Sequence, residues 1–224
     1  MHHRSITIFA VVLVVSLVGG SCCKYRGAPE YSGTRVRGLI TIQESKHVPN
    51  ILPSEFNAKN SLPVGFSAVY ISRTNSKTNG KTLLPVKLKL GKQGYSPQIA
   101  VLQTGQLLEI DLDGSHYVHP MNLEHSSFGH AFDSTTTFRT RFTEPEVFTV
   151  LTCDVHPQER AYLVLIDHRD VTIANADGTF ELPYLLPKGQ YEINVEHPAC
   201  KKISKEFTVT GAGVSNVDFV IQTN

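Results

Sequence analysis

The chain has 224 residues and a formal net charge of +1, and 18% of its residues are charged. A near-neutral chain in which no basic patch stands out gives no reason to expect nucleic-acid binding. Its length is sufficient for a targeting segment followed by one large or two small domains.

Residues 1–23 have the tripartite form of a secretory signal peptide. A weakly basic start precedes an apolar run over Ile6–Val18, and the small residues Gly19–Ser21 follow it. The apolar run is shorter than the roughly 20 residues that a membrane-spanning helix requires. Cys22 comes next, where bacterial lipoproteins carry their lipidated first residue; the alternative is ordinary cleavage that leaves Cys22 and Cys23 as incidental thiols. We therefore expect an exported protein of the periplasm or cell envelope, with membrane contact only through a lipid on Cys22.

The segments that follow the signal peptide are short and β-like. Residues 24–35 are polar and contain Gly and Pro, which is typical of a tether. Val36–Ile42 alternates apolar and polar residues, as a half-buried strand does. No stretch keeps a helical period, and turn residues recur roughly every 8–12 positions, which predicts an antiparallel β-sandwich or barrel. Further strands are predicted at Gly65–Ser72, Val86–Leu90, Gln98–Leu102, Leu107–Leu112, Val147–Leu151 and Ala161–Ile166.

The C-terminal part of the chain predicts another set of strands. Asp177-Gly178 is typical of a hairpin turn, because glycine adopts a positive φ at little cost. The strands predicted after this turn are Thr179–Leu182, Gly189–Val195, Lys205–Val209 and Val217–Ile221.

The most informative pattern for function is Cys153-Asp154-Val155-His156-Pro157. A thiolate and an imidazole at this spacing, at the end of a predicted strand, reach the same small volume. With a second imidazole they form the trigonal His₂Cys set that binds copper in electron-transfer proteins. The second imidazole is expected from the His-rich region that starts at His116, with His119 as the first candidate and His116 as the second.

Other interpretations of Cys153 remain open at this point. In an oxidising compartment Cys153 and Cys200 are the two cysteines left to form a disulfide. Cys153 is also interpretable as a small buried hydrophobic residue. A Cys153–His156 nucleophilic pair is disfavoured, since residues three apart at a strand end seldom form such a dyad, so we do not expect an enzyme.

Several segments of the chain, both in their sequences and in their order, resemble the cupredoxin family of the plastocyanin and amicyanin type. A later part of the chain is similar to the carboxypeptidase-regulatory-like β module, which some exported bacterial cupredoxins carry at the C-terminus. The cupredoxin-like segments are Leu90–Ile99, Gln103–Gln106, Leu108–Ile110, the expected loop around His119 and the Cys153–Pro157 motif; those of the module are Asn175–Leu182 and Leu186–Ile193.

This resemblance implies an all-β protein with two units. The first is a Greek-key cupredoxin-like sandwich over residues 36–168, and the second is a small transthyretin-like β-sandwich over residues 169–224. In a second arrangement, strands within residues 36–72 pair with the C-terminal module, so that the two units are interleaved.

The resemblance also implies a metal and a ligand set. His119, Cys153 and His156 match the positions of the equatorial ligands, and copper is the expected cofactor, for electron transfer or copper handling. The expected partner is a redox protein or another component of the envelope.

The chain departs from the family pattern beside two of these ligands. Pro120 stands where asparagine is usual, and Gln158 and Glu159 stand where the family has tryptophan and the axial methionine. Glu159 or Gln158 is then expected near the axial direction, where an oxygen donor favours Cu(II). The alternative is a metal-free envelope protein whose β-sandwich acts as an interaction or structural module.

Overall fold

The computed structural model describes residues 33–43, 62–72, 83–120, 129–153, 156 and 159–223. The predicted signal peptide, Cys22 and most of the predicted tether lie outside these residues. Within them, no helix has the length and hydrophobicity needed to cross a bilayer.

Seventeen β-strands and one 3-10 turn at Val64–Phe66 form the regular structure of the described residues. The strands are β1 (Thr34–Gln43), β2 (Ala68–Ile71), β3 (Val86–Gly91), β4 (Gly94–Ser96), β5 (Ile99–Gln103), β6 (Leu107–Leu112), β7 (His116–Pro120), β8 (His130–Phe132), β9 (Thr136–Arg141), β10 (Glu146–Cys153), β11 (Arg160–Ile166), β12 (Val171–Ile173), β13 (Thr179–Glu181), β14 (Gly189–His197), β15 (Cys200–Val209), β16 (Gly213–Asn216) and β17 (Phe219–Gln222).

The first sandwich is built from strands β3 to β11. One sheet has the order β5-β11-β10-β7-β8, and the other has the order β4-β3-β6-β9. Alternate residues of these strands point into the space between the two sheets, which is why their sequences show a period of two. The core is mostly leucine and includes Leu88, Leu90, Leu102, Leu108, Leu112, Leu151, Leu163 and Leu165.

The second sandwich combines strands from both ends of the chain. One sheet has the order β12-β2-β14-β15, and in the other β1 pairs with β13, β16 and β17. Its core includes Val36, Ile40, Val69, Ile71, Phe180, Ile193, Val195, Phe219 and Ile221. Since β1 and β2 are both central to this body, residues 169–224 supply only part of it.

A third apolar cluster joins the two sandwiches. Val164 and Ile166 of β11 pack there with Ala68 and Tyr70 of β2 and with Val171. The neighbouring residues of β11 face the core of the first sandwich, and those of β2 face the core of the second. Both strands are therefore buried on both faces, which explains why each is a continuous apolar run without alternation.

The predicted fold class, an all-β sandwich with an additional small sandwich, is confirmed. Most predicted strands are present within one or two residues. The strands that were missed include the short β4, β12 and β16, since runs of three or four residues carry too little pattern to be recognised, and β7.

Three local predictions are corrected by the structure. Thr34 and Arg35, at the end of the predicted tether, already belong to β1. Asp177-Gly178 connects β12 to β13, which lie in different sheets, so it is not a hairpin turn. Gly178 nevertheless has a φ of 86°, as expected, and a Cβ there would lie 2.3 Å from the carbonyl oxygen of Ile40. The predicted loop around His119 is strand β7.

Candidate metal centre

Cys153 is the last residue of β10 and has no exposed surface. A β-bulge between Val147 and Thr149, with Phe148 at a φ of 72°, shifts the strand by one residue. Val147 and Phe148 pack in the cluster between the sandwiches, whereas Leu151 lies in the first core. The bulge thus changes which residues face inward, and it turns Cys153 to the core side of the sheet.

His116 reaches Cys153 from the neighbouring strand. β7 is antiparallel to β10, and Val118 is directly opposite Cys153. Because side chains two residues apart share a face, His116 lies on the same face as Val118 and Cys153. Its exposure is 5%, although it begins a strand that follows a short turn.

The segment between β10 and β11 contributes two further groups. Glu159 immediately precedes β11, is 3% exposed, and donates its backbone N–H to the carbonyl oxygen of His156 at 2.8 Å. This turn directs both side chains towards Cys153. The His156 side chain is 39% exposed, so it forms the boundary between the group and solvent.

These four side chains form one compact group. One ligand atom from each of His116, Cys153, His156 and Glu159 lies within 4.8 Å of all the others. Nδ1 of His116 is 3.0 Å from Oε2 of Glu159, and Nδ1 of His156 is 3.4 Å from its Oε1. The Cys153 sulfur is 3.7 Å from Nδ1 of His156. Among the described residues, this is the one group of this kind.

Two backbone groups support the side chains. Nε2 of His116 lies 3.2 Å from the carbonyl oxygen of Asp113 and donates to it, since a carbonyl only accepts. Nδ1 is therefore the nitrogen that faces the other three groups. The backbone N–H of Tyr117 donates to the Cys153 sulfur at 3.3 Å. Sequence reasoning missed both contacts, because the partner in each is a backbone group, which no side-chain pattern reveals.

His119, the first candidate for the second imidazole, lies elsewhere. It is opposite Thr152 in the β7–β10 pairing and therefore on the other face of the sheet from Cys153. Its Nδ1 is 3.0 Å from the carbonyl oxygen of Pro120, and its ring packs against Tyr117 with a centroid distance of 5.5 Å. The structure brings together Cys153, His156 and Glu159 as expected, but it places His116 there and not His119. The alternation along β7 places the two histidines on opposite faces of the strand, but the pairing with β10 decides which face meets Cys153.

The remaining predicted groups are not part of the cluster. Gln158 lies outside the described residues. Cys200 begins β15 in the second sandwich, and both it and Cys153 are buried free thiols, so the structure has no disulfide between them.

The donor set fits copper. A thiolate and two imidazoles are ligands that copper prefers, and a carboxylate is a harder fourth donor. The contact of His116 with a backbone carbonyl is the usual support of a metal-binding histidine, since it fixes the ring and leaves the other nitrogen for the ion. The N–H of Tyr117 is placed to stabilise negative charge on sulfur.

Comparisons with known proteins found distant likeness to copper proteins. No family model matches the chain, and no curated protein is similar to it. Among solved structures, a purple cupredoxin from Nitrosopumilus maritimus is 16% identical with a TM-score of 0.31, over 35% of this chain and 97% of that chain. A Cu(I) mutant of amicyanin is 16% identical with a TM-score of 0.33, over 43% and 97%. A copper-containing nitrite reductase from Thermus scotoductus is 15% identical with a TM-score of 0.33, over 55% of this chain and 28% of that chain.

Proposed function

We propose that the protein binds copper through His116, Cys153 and His156, with Glu159 as a fourth donor, and that it serves in electron transfer or copper handling. The observation that carries this proposal is the convergence of four complementary ligand atoms within 4.8 Å. Three of the four residues have almost no exposed surface. Burial of so many polar groups is costly for folding, and a functional role accounts for their retention.

Each residue has a distinct task in this proposal. When bound, copper supplies the one-electron couple between Cu(II) and Cu(I). Cys153 provides the soft sulfur donor, and the Tyr117 N–H limits the charge that builds up on it. His116 is fixed in orientation by Asp113. Glu159 supplies a hard, charged oxygen that favours the more oxidised ion.

The partially exposed His156 gives the site an edge on the protein surface. We propose that a redox protein or another envelope component docks at this edge. The role is non-enzymatic in our proposal, since Cys153 has no exposed surface through which to attack a substrate.

The test is a copper titration of the purified protein followed by visible spectroscopy. We expect one ion per chain and a strong thiolate-to-copper absorption band that disappears in Cys153→Ser. Cys200→Ser is the matched control, because it removes a buried thiol from the other sandwich and should leave the band intact. A band that persists in Cys153→Ser would contradict the proposal.

A metal-free role is the second candidate, and one observation favours it. Both imidazoles already lie within contact distance of the Glu159 carboxylate, so this buried carboxyl group has polar neighbours without an ion. In that case the sandwiches act as an interaction or structural module, and the titration gives no band in the unmodified protein.

We also propose export through the N-terminal signal and lipidation at Cys22, on the sequence pattern alone. Mass spectrometry of the native protein should show a chain that begins at Cys22, with the added mass of a lipid. Detection of the intact Met1–Ser21 segment would exclude this location.

A further inference from the structure

Tyr95 lies near the candidate metal centre and has a buried hydroxyl to which the proposed function assigns no role. It is the middle residue of β4, is 3% exposed, and packs in the leucine-rich core of the first sandwich. Its hydroxyl is fully buried and has no hydrogen-bond partner among the described residues.

A purely structural role accounts for the ring of Tyr95 but not for its oxygen. Phenylalanine would fill the same space and has no hydroxyl. Burying an unpaired hydroxyl, as Tyr95 does, is destabilising. Buried polar groups in native proteins nearly always have a partner, so an unpaired one indicates a ligand or a state in which it becomes paired.

The neighbours of Tyr95 indicate which state this is. Burial, followed by the charges of Cys153 and Glu159, raises the pKa of the phenol well above its ordinary value. The strand that carries Tyr95 also lies against the same segment, since a Cβ on Gly94 would be 4.0 Å from the Cα of Glu159. The hydroxyl is therefore an un-ionised donor in the vicinity of two of the proposed ligands.

Metal binding changes the hydrogen bonds of Glu159. Without an ion, its two carboxylate oxygens face Nδ1 of His116 and Nδ1 of His156. An ion held by these nitrogens would occupy their lone pairs, so neither nitrogen could donate a hydrogen bond to the carboxylate. The carboxylate would bind the ion through one oxygen, and its other oxygen would be buried without a donor from either histidine.

We propose that Tyr95 is a positioning residue for the metal-bound state, in which its hydroxyl donates a hydrogen bond to the free carboxylate oxygen of Glu159. This inference rests on the proposed metal site. It assigns to Tyr95 the role of supplying the hydrogen-bond donor that metal-bound His116 and His156 could not supply, and of reducing the electron donation of Glu159 to the ion.

The test compares Tyr95→Phe with the unmodified full-length protein, using Cu(II) and Cu(I) as probes. We expect the metal-free variant to be at least as stable to denaturant, because an unpaired hydroxyl has been removed. We expect its affinity for copper to fall about tenfold, since a hydrogen bond to a charged group is lost. Its reduction potential should be lower, because a carboxylate without a donor favours Cu(II) more strongly.

Tyr70→Phe is the matched control. The Tyr70 hydroxyl bonds to Glu196 and Lys202 in the cluster between the sandwiches, away from the metal group. This variant should lose stability with or without copper and should keep the affinity and the potential of the unmodified protein.

The outcomes separate this inference from the function it rests on. If the unmodified protein binds copper and Tyr95→Phe has the same affinity and potential, Tyr95 is a core residue only and the inference is wrong, while the metal site stands. If the unmodified protein binds no copper, both proposals are overturned.

Discussion

The Glu159 carboxylate determines the chemical character of the proposed site at the scale of single residues. It is 3% exposed and contacts Nδ1 of both His116 and His156. A charged oxygen in this position differs from a thioether, because it stabilises Cu(II) more than Cu(I). Any potential measured for this protein should therefore depend strongly on this one side chain.

Glu159→Met should raise the reduction potential. The substitution replaces a hard anionic donor with a soft neutral one, which favours Cu(I). For a one-electron couple, a tenfold change in relative affinity corresponds to about 59 mV, and we expect a shift of at least this size. Redox titration monitored by the visible band measures it, and an unchanged or lowered potential would show that Glu159 is not a donor.

The two neighbouring histidines of β7 should respond differently to removal. His116→Ala should weaken copper binding about tenfold or more, because a ligand and its support by Asp113 are both lost. His119→Ala should change the affinity by less than about twofold, as substitutions away from a site do. Isothermal titration of the two variants provides the comparison, and each serves as the control of the other. Greater sensitivity at His119 would mean that the β7–β10 register differs from the one described.

At the scale of elements, strand β11 links the core of the first sandwich to the apolar cluster between the two sandwiches. It pairs with β10 and β5, and its two faces contribute to the first core and to the cluster between the sandwiches. It also starts directly after Glu159. The position of the Glu159 carboxylate therefore depends on the packing of this strand.

Leu163→Ala tests the burial of β11. Leu163 has no exposed surface, so the truncation should lower the free energy of unfolding by about 2–5 kcal/mol. Leu84→Ala is the control, because Leu84 is 85% exposed and its truncation should cost less than about 0.5 kcal/mol. Equilibrium denaturation gives both values, and similar costs for the two variants would be inconsistent with β11 as a buried strand.

At the scale of the whole molecule, the second sandwich is not continuous in sequence. Its central strands β1 and β2 precede the first sandwich, whereas its other strands follow it. The chain therefore first forms β1 and β2 of the second sandwich, then all strands of the first sandwich, and then the remaining strands of the second. Pairing between strands of such large sequence separation is slow to form but couples the stability of the two parts.

A fragment of residues 169–224 should not fold alone. Without β1 and β2, the core of the second sandwich loses Val36, Ile40, Val69 and Ile71, and β13, β14, β16 and β17 each lose a strand with which they pair. We expect poor dispersion in the amide NMR spectrum of the fragment and full dispersion for residues 33–223. A well-dispersed spectrum of the fragment would mean that the C-terminal strands form an independent module.

The sequence by itself determined the β class and three of the four side chains of the proposed site. Alternation of apolar and polar residues is a local property, so it revealed most strands before any contact was known. Cys153, His156 and Glu159 are also close in sequence, and one turn at a strand end is enough to bring them together. The continuous apolar runs of β2 and β11 indicated that both faces of these strands are buried, but they did not indicate which residues pack against each face.

Only the tertiary structure decided the rest, because it depends on contacts between segments that are far apart in sequence. The choice of His116 over His119 follows from the register of β7 against β10 and from the bulge at Phe148. Both are set by packing against other strands, and a shift of one residue would reverse the faces. The unpaired hydroxyl of Tyr95 and the pairing of β1 and β2 with C-terminal strands are likewise non-local. The sequence of a single segment does not show which distant segment it pairs with or packs against.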